Sequence, residues 1–160
     1  MSLQRYLTPS KYIDFDAPAV AEKAASLAGG VSSEIEVAQR CFEFVRDHIK
    51  HSGDFNLNPV TCHASEVLLH GTGFCYAKSH LLAALLRANA IPAGLCYQRI
   101  SAGDAGPPYC LHGLNAVYLA THGWYRVDAR GNKPGVVAEF CPPKEVLAFP
   151  IREKIGRAHV

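Results

Sequence analysis

Gly71-Thr72-Gly73-Phe74-Cys75-Tyr76-Ala77-Lys78-Ser79-His80-Leu81-Leu82-Ala83-Ala84-Leu85-Leu86-Arg87 is the stretch that decides the fold. Leu81, Leu82, Leu85 and Leu86 recur at helical spacing, with Ala83, Ala84 and Ala88 between them. A helix this apolar on nearly every side belongs inside a protein, so we expect it to be the buried central helix. Two glycines lead into it, and Cys75 stands at its mouth. It must end before Ile91-Pro92, because the residue preceding a proline disfavours helical geometry.

Upstream the chain reads as helical. A first helix is expected over residues 17–28, stopped by Gly29-Gly30. Ser33-Glu34-Ile35-Glu36 forms a capping box that opens a second. Behind it Ile35, Ala38, Cys41, Phe42, Val45 and Ile49 fall on one face. Glu34, Glu36, Arg40, Glu43, Arg46 and Lys50 fall on the wet side, and the helix is expected to end near Ser52-Gly53. A loop through residues 54–59 and a short helix over 64–69, closed by His70-Gly71, complete this half.

Downstream the pattern changes. Residues 94–100, 114–119, 124–127 and 136–140 read as strands. Turn residues separate them: Gly103-Asp104-Ala105-Gly106-Pro107-Pro108, then Thr121-His122-Gly123, then Gly131-Asn132-Lys133-Pro134-Gly135. Helices first and hairpin-linked strands second indicate an α+β fold, with N-terminal helices and a buried central helix packed on an antiparallel sheet.

A chain of 160 residues with 49% apolar and 19% charged residues is long enough for a real core and has the balance of a globular protein. Its net charge of +2 gives no argument for a nucleic acid or a membrane as partner. It has no run of eighteen apolar residues and no apolar leader, so the cytoplasm is the expected location. We expect one domain over residues 1–154. Ile155-Gly156-Arg157-Ala158-His159-Val160 resembles the translation of a common sequencing-adapter read. We leave these residues out of the functional argument and expect the natural chain to continue differently.

The six cysteines are Cys41, Cys62, Cys75, Cys96, Cys110 and Cys141. None forms a C-x-x-C pair, so neither a zinc ribbon nor a redox motif is indicated. Cys62-His63, Cys75, Cys110 and His112 lack the spacing of zinc ligands, and we expect no metal and no cofactor. Most of these thiols read as buried small hydrophobes. Cys75 differs. At a helix N-terminus a thiol feels unpaired backbone N–H groups and the positive end of the helix dipole, which favour the nucleophilic thiolate. Position alone leaves it either a nucleophile or a structural thiol.

A thiol nucleophile needs an imidazole, and the imidazole needs an acceptor to orient it. His112 precedes the strand 114–119, and Asp128 follows the strand 124–127. If these strands pair as a hairpin, both side chains lie at one end of it. Gly73, Phe74, Asn56 and Trp124 are candidates for oxyanion or substrate contacts, and Trp124 with Tyr125 also reads as sheet core or cleft wall. His80 points to a face of the helix other than that of Cys75 and reads as structural. Arg130 reads as a solvated turn arginine.

Three segments together resemble the transglutaminase-like superfamily. Gly73-Phe74-Cys75 with its Leu-rich helix and Ile91-Pro92-Ala93 is similar to the nucleophile segment. His112-Gly113-Leu114-Asn115-Ala116-Val117 resembles the histidine strand, and Gly123-Trp124-Tyr125-Arg126-Val127-Asp128 the aspartate strand. The resemblance covers residues 34–129. It implies a papain-like fold with Cys75 as nucleophile, His112 as general base and acid, and Asp128 orienting His112. The implied substrate is a peptide or protein amide, attacked to give a thioester. Hydrolysis, transamidation of glutamine and a silent peptide-binding module all occur on this fold. Leu114 and Asn115 stand where relatives often carry an aromatic residue and an acid, and Ala129 where many carry proline. These departures leave the triad whole and suggest a small bacterial branch.

Overall fold

The structure is a computed structural model and describes residues 2–102 and 106–150. The first residues of the 103–108 turn, and the segment 155–160 set aside above, lie outside the described residues.

A 3-10 turn at Gln4–Tyr6 precedes α1 (Pro18–Ala28), which starts on proline and stops at Gly29. Helix α2 (Glu34–His48) is opened by Ser33, whose hydroxyl accepts the Glu36 N–H. Its apolar face buries Val37, Ala38, Cys41, Phe42 and Val45. The helix ends sooner than the sequence indicates, because Ile49 turns into extended geometry. Lys50 and His51 form a short strand, β1, and Ser52–Phe55 a single turn, α3. A neighbour explains the early stop. The Lys78 ammonium, 1% exposed, donates to the carbonyls of Arg46 (3.3 Å) and Ile49. The end of α2 is thus capped from inside the protein rather than by another helical turn.

Helix α4 (Ala64–His70) closes on Gly71 in the left-handed region, φ 64°. Thr72-Gly73 then forms β2, parallel to β1, with Lys50 opposite Thr72 and His51 opposite Gly73. Hydroxyls tie this short pairing: Ser52 to Thr72 at 3.0 Å, Thr72 to the Lys50 carbonyl at 3.0 Å, and Thr61 to the Thr72 carbonyl at 2.9 Å. They fix the path of the chain into α5 (Cys75–Ala88), where every residue from Ala77 to Leu86 is buried. Each buried leucine there contributes about 2 kcal/mol.

Strands β3 (Ala93–Ser101), β4 (Tyr109–Leu119) and β5 (Gly123–Val127) form one antiparallel sheet in that order. This sheet and the helices around α5 make the α+β fold. Strand β4 begins five residues before the indicated strand, since β3 pairs with it all the way from Ala93↔Val117 to Ser101↔Tyr109. His112 therefore sits within a strand, opposite Gln98. The strand indicated at 136–140 is instead β6 (Glu139–Cys141), paired with β7 (Lys144–Val146) in a separate ribbon. Arg126 joins the sheet to that ribbon through the Glu145 carboxylate. No helix among the described residues is long and apolar enough to cross a membrane.

Candidate active site

Cys75 is the first residue of α5, and Phe74, at the cap position, supplies no side-chain cap. The first-turn N–H groups of α5 thus have no intrahelical partner. The thiol lies where α5 abuts β4. The Gly113 N–H donates to Cys75 Sγ at 3.3 Å. Only glycine permits this approach, because a Cβ at position 113 would lie 2.8 Å from Tyr76 Cα. We expect Gly113→Ala to force helix and strand apart, lowering stability by about 1–3 kcal/mol and slowing alkylation of Cys75. Thermal melts and iodoacetamide labelling rates measure the two effects.

The hairpin delivers the other two residues. Register Asn115↔Val127 sets the β4–β5 pair so that His112 and Asp128 lie at the same end of the sheet. His112 Nε2 and Asp128 Oδ2 are 2.7 Å apart. That leaves Nδ1 for the thiol, which the Gly113 N–H holds one residue along β4 from His112, and each group shifts the other's pKa. Asp128 is fully buried and has its oxygens occupied. Oδ1 accepts the Arg130 N–H at 3.2 Å, and Oδ2 accepts the Ala148 N–H at 3.1 Å. A carboxylate so held is fixed in orientation.

Opposed effects set the charges. Burial pushes the Cys75 thiol up, but hydrogen bonds from His112, His51 and the Gly113 N–H outweigh it and bring the pKa down to about 6. Burial pushes His112 down, but its bonds to Asp128 and Cys75 raise it to about 9. Between these values the pair rests as thiolate and imidazolium. The other cysteines with resolved shifts move the opposite way: burial takes Cys41 up to about 12 and raises Cys62 and Cys96.

Several residues at the site carry no motif that the sequence reading could use. Phe149 sets its ring edge-on to His112, with centroids 4.9 Å apart. Gln98, across from His112, donates to the carbonyls of Phe149 and Pro150 at 3.3 Å each. With Ala148 on Asp128, the segment 148–150 backs the imidazole and its acceptor. His51 is the other such residue: it ends β1 opposite Gly73, sets its ring against Phe74 and helps to draw the Cys75 pKa down.

The structure brings Cys75, His112 and Asp128 together, with Gly73 and Phe74 immediately beside the thiol. It does not bring Asn56 or Trp124 there. Asn56 is exposed and closes α3 in the left-handed region, φ 50°, where its N–H donates to the Ser52 carbonyl. Trp124 packs on Tyr6 and Tyr118, six residues along β4 from His112, or about 20 Å of strand. Strand alternation gave Trp124 a face but not an end of the sheet. Arg130 is buried, not solvated, and grips Asp54 with two bonds of 2.7 and 2.9 Å. Asn115, at the position where relatives often carry an acid, is fully buried and donates to the carbonyls of Ser79 and Gly94, stitching α5 to β3. His80 accepts its structural reading, bonded to the Cys62 carbonyl and stacked on Tyr12.

Comparison with known proteins follows the same outline. The sequence model of the Transglutaminase-like superfamily matches residues 21–129. No curated protein matches. Among solved structures, a protein described as a candidate cysteine protease from Cytophaga hutchinsonii aligns with a TM-score of 0.63 at 21% identity, over 80% of this chain and 42% of that one. The periplasmic domain of TgpA from Pseudomonas aeruginosa aligns with a TM-score of 0.58 at 18% identity, over 79% and 46%. A candidate protease from Parabacteroides distasonis aligns at 0.55 and 14%, over 93% and 30%. At these identities the likeness is one of fold, and the chain spans less than half the length of each.

Proposed function

The chain belongs to the transglutaminase-like superfamily, and on that premise we propose that it is a cysteine-dependent acyl-bond enzyme that hydrolyses an amide or peptide bond through a thioester on Cys75. The observation that carries this reading is the Cys75 sulfur held against β4 by the Gly113 N–H, next to His112, whose Nε2 lies 2.7 Å from the buried Asp128 carboxylate.

The chemistry follows from the resting charges. The Cys75 thiolate gives an electron pair to the substrate carbonyl carbon, and the carbonyl π pair moves onto oxygen. The free N–H groups at the start of α5 stabilise that charge. Collapse of the adduct breaks the C–N bond, and the proton on His112 Nδ1 goes to the leaving amine. His112, now neutral, takes a proton from water, which attacks the thioester and releases acid and thiolate. Asp128 keeps the Nε2–H oriented throughout and offsets the imidazolium charge. The substrate is a peptide or protein amide. Water needs no dedicated seat, whereas transfer to an amine requires one that also excludes water; this favours hydrolysis over transamidation.

The test is a pH–rate profile with peptide mapping of the alkylated thiol. Turnover requires thiolate, formed as pH rises through about 6, and imidazolium, lost as pH rises through about 9. A bell between those limbs is expected, with iodoacetamide label on Cys75. Label appearing first on another cysteine, or a Cys75 midpoint near the ordinary thiol value of about 8.5, overturns the reading. Products formed in the presence of a primary amine identify the acceptor: free acid supports hydrolysis, and an amide product overturns it in favour of transfer.

A further inference from the structure

His51 enters the molecule at a place the triad does not use. It ends the two-residue strand β1, opposite Gly73, which puts it across a parallel pairing from the segment leading to Cys75. Its ring meets Phe74 edge-on at 5.7 Å. That placement sets the imidazole beside the start of α5, and it is among the groups that draw the Cys75 pKa down. Two imidazoles therefore address one thiol, from β4 and from β1.

The two rings are wired differently. His112 presents Nε2–H to a carboxylate, which accepts its hydrogen bond. His51 presents Nδ1 to a backbone donor: the Asp54 N–H points at it from 3.3 Å, making the ring the cap of α3. The Asp54 carboxylate lies 3.7 Å from the same nitrogen, outside hydrogen-bond distance. That carboxylate is committed elsewhere, to Arg130 at 2.7 and 2.9 Å and to Lys133 at 2.7 Å. A nitrogen that accepts an N–H carries a lone pair, so the ring proton of His51 resides on Nε2. The nitrogen left for the sulfur is thus a donor.

We propose that His51 is a second catalytic residue, whose Nε2–H first hydrogen-bonds the Cys75 thiolate and then the carbonyl oxygen on which charge develops when the sulfur attacks. The inference rests on the acyl-transfer reading above and adds to it the side-chain half of the oxyanion site, for which the sequence offers Asn56 as a candidate. The reacting oxygen is bonded to the carbon that bonds the sulfur, so a donor that reaches the sulfur is one atom from its new acceptor. No proton leaves His51. It donates a hydrogen bond only, and the leaving amine takes its proton from His112. The ion pair Asp54–Arg130 acts as a positioning device: it holds α3 and its N–H against Nδ1, and Arg130 also gives its own N–H to Asp128.

The test separates this role from simple support of the thiolate. Acylation of Cys75 by p-nitrophenyl acetate develops an oxyanion, and alkylation by iodoacetamide does not. Both rates are measured at a pH well above the Cys75 midpoint of about 6 for the wild type, His51→Ala and His51→Gln, with melting curves for all three. We expect His51→Ala to acylate about a hundredfold more slowly, while alkylation stays within about threefold. His51→Gln, which restores an N–H donor, should recover part of the loss. Parallel loss of both reactions, or no loss of acylation, overturns the role. A wild type that alkylates at Cys75 but never acylates overturns the acyl-transfer reading itself, and this inference with it.

Discussion

Replacing His112 with alanine should slow acylation of Cys75 by about a thousandfold or more and return its thiol towards the ordinary cysteine value. Both effects have one source. The imidazole supplies the largest of the bonds that hold the sulfur down against burial, and it carries the proton the leaving amine needs. Without it, the half-buried thiol has only the Gly113 N–H and His51 to favour its charge. Single-turnover acylation and the pH midpoint of alkylation read the two effects separately. A variant that keeps its low midpoint would show that His112 does not set the charge of the sulfur.

Asp128→Asn is the second large effect, and its direction follows from counting donors. Three donors converge on this carboxylate: His112 Nε2–H and the Ala148 N–H on Oδ2, and the Arg130 N–H on Oδ1. An asparagine has one oxygen. Placing it at the Oδ2 site satisfies two donors and sets the amide N–H against that of Arg130. The cost of one buried mismatch is about 1–3 kcal/mol of stability. Placing the oxygen the other way makes Nε2 an acceptor, turns the ring proton towards the sulfur and removes the base. In either case the negative charge is gone, and that charge helps raise His112 to about 9. We expect turnover to fall about a hundredfold or more and the alkaline limb of the profile to move to lower pH. An unmoved alkaline limb would contradict the assigned role of Asp128.

Much of this site was legible because its parts carry local signals. An all-round apolar helix behind two glycines announced α5 and the position of Cys75. Alternating strands broken by Thr121-His122-Gly123 announced the hairpin, and a hairpin must bring the residue before one strand near the residue after the next. His51 had no such signal. It follows an amphipathic helix whose pattern gives no reason to stop at His48. What stops it is Lys78, a residue thirty positions away that takes the last carbonyls. Strand β1 is two residues long and parallel, held by hydroxyls rather than by any periodic pattern. Arg130 looked like a turn residue because its partner, Asp54, is 76 positions upstream. Trp124 lies along the sheet from His112 for a different reason: periodicity places a side chain on a face of its strand and says nothing of its distance from the end where the chemistry occurs.

The seat that Ala148 and Phe149 provide also has a consequence for the order in which the molecule is completed. The helices, the nucleophile and the hairpin are all present once residue 128 has been synthesised, yet the acceptor behind the imidazole is finished only by a backbone group twenty positions later. A growing chain thus supplies the sulfur, the imidazole and the carboxylate before the backbone group that completes the carboxylate's set of donors. Until residue 148 emerges, the Asp128 carboxylate has one backbone donor, from Arg130, instead of two.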